Sequence, residues 1–198
     1  MITLIIVDCQ NDFITGTMSV KGAKNSVEEI KKFIKNHRKD IEKIIFTVDW
    51  HPYNHSSFKR FGGPWPSHCV QYTPGACIEP KLLKYVQSMN IDYEVSQKGQ
   101  IEEVEQYGAF DDIELITDSH FGNRFCFDSI VEASEDSDFV VCGIAGDYCV
   151  KATIQNMIDG GITPKVFMPG IVSIDGGKIF SDFVKENKLE KIVWNILN

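Results

Sequence analysis

An α/β fold is predicted: a three-layer α/β/α arrangement around a mainly parallel sheet of about six strands. Three observations predict it. Apolar, β-rich runs alternate with helical patterns from one end of the 198 residues to the other. The first run, Ile2–Val7 (ITLIIV), is continuously apolar, as in a strand covered on both faces. Strand and helix in alternation imply right-handed crossovers, which place helices on both sides of a parallel sheet.

Each element follows from local pattern. After the first strand, residues 26–37 put Val27, Ile30, Phe33 and Ile34 on one face at helical spacing, with lysines and glutamates opposite. Residues 43–48 (KIIFTV) form the next strand, and 91–95, 139–144, 165–168 and 191–197 are read as further strands. Residues 146–158 and 178–186 are read as helices between them. The exception is 49–75, rich in Pro, Gly, His and aromatics and without periodicity. A loop of that length inside a compact unit is usually functional. No repeat, low-complexity tract or linker interrupts the chain, so residues 1–198 are expected to form one domain. The acidic stretch 132–138 (EASEDSD) is expected to be a solvated turn before a strand.

Composition narrows the function. The net charge of -8 argues against a nucleic-acid partner or an anionic membrane surface. No apolar run reaches the roughly 18 residues needed to span a bilayer. The N-terminus lacks a basic region and meets Asp8 early, so it reads as a buried strand and not a signal peptide. Six cysteines without an export signal are expected to be reduced thiols in the cytoplasm. A cytoplasmic enzyme acting on a small molecule, alone or as a homo-oligomer, is the expectation.

In open parallel sheets, ligands sit beyond the carboxyl ends of the strands. There Asp8 ends the first strand, Asp49 ends the second, Lys98 follows the third, and Cys149 opens the helix after 139–144. A thiol in the first turn of a helix faces free N–H groups and the positive end of the dipole, which favour the thiolate. Lys98 would favour it further, and Asp8 could accept its proton. Cys9, Cys69, Cys77, Cys126 and Cys142 are expected to be small buried apolar residues. In the long loop, Asp49 and His51, with His55 and His68 behind them, form a histidine–carboxylate set suited to Fe(II), Mn(II) or catalytic Zn(II). Phe13, Trp50, Phe58, Trp65 and Tyr107 flank these positions and together could line an apolar slot for a flat ring.

Five segments then carry a resemblance: IIVDCQNDF (5–13), TVDWHPYNHSSF (47–58), WPSHCVQYTPGA (65–76), QKG (97–99) and GIAGDYCV (143–150). They resemble the nicotinamidase/pyrazinamidase branch of the isochorismatase-like cysteine hydrolases. The resemblance implies a catalytic triad of Asp8, Lys98 and Cys149. The cysteine would attack a nicotinamide carboxamide, releasing ammonia and then nicotinate. It further implies an oxyanion hole from the backbone N–H groups of Ala145 and Cys149, with a cis peptide before Ala145. Asp49, His51 and His68 would hold one divalent metal, most simply Zn2+, that positions the pyridine nitrogen, with His55 a weaker candidate ligand. Phe13 and Trp65 would sandwich the ring, with Tyr107 beside them. A metal-independent relative acting on another small amide or a vinyl ether is the alternative. The chain departs from the family where Gly146 replaces the usual Thr or Ser, and over 103–127, where only the aromatic spacing of Tyr107 and Phe110 is kept.

Overall fold

The structure is a computed structural model that describes residues 1–110 and 137–193. In chain order its elements are β1 (Ile2–Val7), α1 (Asn11–Ile14), α2 (Ala23–Asn36), β2 (Ile41–Asp49), α3 (Pro80–Ser88), β3 (Asp92–Lys98), β4 (Asp138–Ile144), α4 (Lys151–Asp159), β5 (Lys165–Val172), α5 (Lys178–Glu186) and β6 (Lys191–Ile192). The six strands form one sheet in the order β3-β2-β1-β4-β5-β6, and every neighbouring pair is parallel.

The continuous apolar run of β1 is explained by its two covered faces. Successive side chains on a strand point to opposite sides. Leu4 and Ile6 join a core with Val27, Ile30, Phe33 and Ile34 of α2 and Leu82 and Val86 of α3. Ile5 and Val7 join a second core with Ile154 and Met157 of α4 and Phe180, Phe183 and Val184 of α5. The three-layer expectation is met, with an apolar core on each face of the sheet.

Several boundaries differ from the sequence reading. β3 runs through Lys98, so that lysine closes the strand instead of following it. β5 continues through Pro169 and Gly170 to Val172, with an irregular register against β4. Residues 146–158 are not one α-helix: Gly146–Val150 is a π turn, and the α-helix begins at Lys151. The periodicity did not show α3, although Pro80 stands at its first turn and the Glu79 side chain accepts from Leu82 N at 2.6 Å. Those are a proline start and an acidic cap. Of the strand expected at 191–197, residues 194–197 lie outside the described residues, as do 132–136 of the acidic stretch and 111–127 of the atypical segment.

The strand order reverses at β1. Its neighbours β2 and β4 lead away in opposite directions, so the carboxyl ends of β1, β2 and β4 open on a common crevice.

Candidate active site

The parallel register delivers the first constellation. Asp49 and Lys98 are paired residues at the ends of β2 and β3. Asp8 follows β1 with a φ of 47°, a left-handed conformation that Asp tolerates better than most residues. Its Oδ1 accepts from Thr47 Oγ1 at 2.7 Å. Lys98 Nζ lies 2.8 Å from Asp8 Oδ2 and 3.6 Å from Cys149 Sγ, and it also donates to the Asp49 carboxylate and, at 3.4 Å, to Gln106 O. All four side chains are buried. The structure thus brings together Asp8, Lys98 and Cys149, three residues up to 141 positions apart.

Their charges are settled by one another. Burial disfavours the Lys98 ammonium, but Asp49, Asp8 and Cys149 outweigh it and hold the lysine well above its ordinary value. Burial would raise Asp49 as well, yet Lys98 and His51 keep it well below the ordinary carboxylate range. For Asp8, burial dominates over the pull of Lys98 and raises the carboxyl. Burial also pushes the Cys149 thiol well up; Lys98 opposes this, while Asp8 and Asp49 add to it. Cys149 lies in a buried π turn, where burial works against the thiolate that a helix-opening position was expected to favour. Asp8 Oδ2 faces the Lys98 ammonium at 2.8 Å, and with its carboxyl raised by burial it is suited to take up a proton.

Beside this cluster stands an oxygen–nitrogen donor set. His51 Nε2 is 3.6 Å and His68 Nε2 3.7 Å from Asp49 Oδ2, and one donor atom from each of the three residues falls within 4.8 Å of the others. The far nitrogens are tied to carbonyls, His51 Nδ1 to Gly99 O at 2.9 Å and His68 Nδ1 to Pro66 O at 2.8 Å. A carbonyl only accepts, so each Nδ1 carries the proton and each Nε2 presents a lone pair. That is the outer support metal-binding histidines need. Gly99 is required here: at its φ of 64°, a Cβ would collide with the His51 ring. Gln10 pins Asp49 by accepting from its N–H and donating to its carbonyl, both at 2.8 Å, and by donating to Ala76 O at 2.8 Å. Sequence reasoning did not single out Gln10. Asp12 is a second such residue, its carboxylate accepting from Cys69 N at 2.8 Å beside His68.

His55 stands outside the Asp49–His51–His68 set. Its ring stacks 4.1 Å from that of His51, its Nδ1 faces Ser57 Oγ at 2.8 Å and its Nε2 faces Val104 O at 3.1 Å. Burial and the neighbouring His51 lower its pKa to about 4, so it is neutral. It falls within 4.8 Å of donor atoms of His51 and Glu105.

Both constellations open on one small pocket, part of it open to solvent. Asp49, His68 and Cys149 line its polar side, and Phe13, Trp65 and Tyr107 line its apolar side. Trp65 Nε1 donates to Tyr107 OH at 2.9 Å, which locks the indole in place. Trp50 and Phe58 do not line the pocket. Phe58 is fully buried behind the histidine rings, 5.5 Å from His68. Tyr148, Met18, Glu105 and Ile174 do line it; Tyr148 is adjacent to Cys149 and could have been suspected from that adjacency alone. The Ile144–Ala145 peptide is cis, and Ala145 faces the same pocket.

Among the other thiols, Cys9, Cys69 and Cys142 are buried, as expected. Cys77 is exposed, a correction to the sequence reading. It ends the short 3-10 turn Pro74–Ala76, where its carbonyl receives Asn11 N and its side chain faces outward. Cys126 lies outside the described residues.

The comparisons with known proteins now bear on this geometry. Residues 3–95 match the Isochorismatase domain. A nicotinamidase of Acinetobacter baylyi is 31% identical over 189 residues, covering 87% of this chain and 81% of the relative. The chain belongs to the nicotinamidase family. Two solved structures resemble this nicotinamidase-family fold along nearly its whole length. One is the yeast nicotinamidase bound to the inhibitor nicotinaldehyde, with a TM-score of 0.81 and 25% identity, covering 98% of this chain and 100% of that one. The other is the pyrazinamidase of Pyrococcus horikoshii in complex with zinc, with a TM-score of 0.75 and 25% identity, covering 98% and 99%. No helix among the described residues of this family member is long and apolar enough to cross a membrane.

Proposed function

We propose that this protein hydrolyses nicotinamide, or a closely related ring carboxamide, to the carboxylate and ammonia. The observation that carries the reading is the meeting of two clusters at one aromatic pocket: a buried Asp8–Lys98–Cys149 group and the Asp49–His51–His68 donor set. The A. baylyi and yeast relatives, both nicotinamidases, support the same substrate.

The chemistry follows from the charge states. The Cys149 thiol gives its proton to Asp8 as Sγ bonds to the carboxamide carbon, and the Lys98 ammonium stabilises the sulfur during transfer. The oxygen becomes an oxyanion facing the backbone N–H groups of Ala145 and Cys149. The carbon–nitrogen bond then breaks, Asp8 returns the proton to nitrogen, and ammonia leaves a thioester. Asp8 next takes a proton from water as its oxygen attacks the thioester carbon. The carbon–sulfur bond breaks, Asp8 returns its proton to sulfur to restore the thiol, and the acid leaves as nicotinate with its own proton passing to solvent.

Asp49, His51 and His68 fit a divalent cation, because two imidazole Nε2 atoms and a carboxylate held ionised converge from buried, anchored positions. Such a cation, when bound, supplies a fixed positive charge that takes up the pyridine nitrogen. Zinc is the ion assigned, given the zinc complex of the P. horikoshii relative, and the donor set also admits Fe2+ or Mn2+. Phe13 and Trp65 hold the ring faces and Tyr107 fixes Trp65. A reducing compartment, the cytoplasm, suits a mechanism that depends on a free thiol.

Ammonia release from nicotinamide by metal-loaded protein tests the reading, with Cys149→Ala and chelated protein as controls. Turnover that needs both thiol and metal is expected. Turnover that survives chelation would point to the metal-independent alternative, and no turnover with metal bound and Cys149 reactive would discard nicotinamide.

A further inference from the structure

The π turn carrying Cys149 is docked on the segment that follows β5, and the docking has two parts. At Gly146 there is no side chain. A Cβ there would collide with Ser173 Oγ and approach Ile171 Cγ2 to 2.9 Å. The missing Thr or Ser is thus accounted for: the space is occupied by residues from the end of β5 and beyond. At Asp147, which is 4% exposed, the two carboxylate oxygens accept from consecutive backbone N–H groups, Ile174 at 3.0 Å and Asp175 at 2.8 Å. Asp175 in turn accepts from Gly177 N at 2.7 Å and Ile179 N at 2.8 Å at the start of α5.

The residue delivered by this docking is Ile174. It is 47% exposed, yet it lines the same pocket as Phe13, Trp65, Tyr148 and Cys149. What sets it apart from the other half-exposed aliphatic side chains is that it lines this pocket. Asp147 is two residues from the nucleophile, so its bonds to the Ile174 and Asp175 N–H groups tie the turn that carries Cys149 to this aliphatic residue.

We propose that Ile174 is a specificity-determining residue that limits the width of the acyl substrate reaching Cys149, and that Asp147 is the positioning residue that holds it there. This rests on the amidase reading for the identity of the substrate, but not for the access of reagents to the thiol. The wall admits a single six-membered ring carrying its carboxamide and turns away fused or extended rings. Removing aliphatic volume from such a wall changes discrimination by about tenfold or more.

The test uses the full-length, metal-loaded protein and two readouts. In the first, alkylation of Cys149 by N-phenylmaleimide and by iodoacetamide is followed at the Cys149 peptide by mass spectrometry, so that exposed Cys77 does not interfere. Ile174→Ala is expected to raise the ratio of the bulky to the small reagent by about tenfold, and Asp147→Asn to raise it in the same direction. In the second, kcat/KM is compared for nicotinamide and for quinoline-3-carboxamide, and Ile174→Ala is expected to shift the preference toward the fused ring, mainly through KM. Both ratios unchanged in Ile174→Ala would overturn the proposal. A raised alkylation ratio without any amide turnover would uphold the wall and reject the amidase reading instead. Should Asp147→Asn fail to fold, the pair Gly146→Ser and Gly146→Ser with Ser173→Gly replaces it. The added side chain should raise the alkylation ratio by displacing 173–174, and removal of the Ser173 hydroxyl should partly restore it. Equal ratios in both would break the proposed link between the turn and the wall.

Discussion

Lys98 Nζ lies 2.8 Å from Asp8 Oδ2 with neither side chain exposed to solvent. Taking two such charges out of water is costly, and the cost is recovered only with full compensation. Here a third charge, Asp49, shares the lysine, so the cation has two carboxylates and the thiol around it. Lys98→Met would leave two carboxylates buried without a counter-charge. The variant should unfold more easily by about 3–5 kcal/mol and lose most of its turnover. Thermal unfolding and ammonia release measure the two effects; turnover at the normal rate would mean that the cysteine draws its positive charge from elsewhere.

Cys149→Ala removes the nucleophile and little volume. Turnover should vanish while the far-UV circular dichroism stays that of the parent. Substantial ammonia release by this variant would remove Cys149 from the mechanism.

His51→Ala should lower metal affinity by more than tenfold, since one of three donors is lost. KM for nicotinamide should rise more than kcat falls if the cation mainly positions the ring. Unchanged metal content, measured by elemental analysis after dialysis, would place the cation away from Asp49 and His51.

Burial disfavours the charged His51 ring, but Asp49 and the Gly99 carbonyl outweigh burial and raise its pKa above the ordinary value of 6.5. In metal-free protein the protonated His51–Asp49 pair therefore contributes stability that is fully present below about 6.5 and lost as pH rises through the raised value. A cation needs the unprotonated ring, so its contribution has the opposite trend. The gain in Tm on adding zinc should be small at the acid end and grow with pH across that window. A gain that does not depend on pH would exclude His51 as a ligand.

Gln10→Leu strips three hydrogen bonds and leaves the Asp49 N–H and two carbonyls without their partner. Each buried orphan costs about 1–3 kcal/mol. Chemical denaturation should show a loss of at least that size, together with weaker metal binding, because Asp49 loses its tether. Normal stability and affinity would mean that β2 alone holds Asp49.

Much of this protein was legible in the sequence because its signals are local or periodic. The continuous apolar run of β1 reflects two covered faces, and the helical spacing of Val27, Ile30, Phe33 and Ile34 reflects one buried face. The candidate site residues were legible as types placed where strands end. The short capped helix α3 was not, since nine residues carry little periodicity. Neither was the exposure of Cys77, which depends on a turn outside any regular element.

The sequence by itself determined the alternation of strand and helix, the chemistry available at the strand ends and the kinship that those motifs carry. Only the tertiary structure decided how these groups act on one another. The register that pairs Asp49 with Lys98 is a contact between strands 49 residues apart. The burial that pushes the Cys149 thiol up depends on everything packed around it. The seat of Ile174 beside Cys149 depends on a carboxylate that meets two N–H groups only after β4 and β5 have paired. Charge state and reach are sums over neighbours, and for these residues the neighbours come from distant parts of the chain.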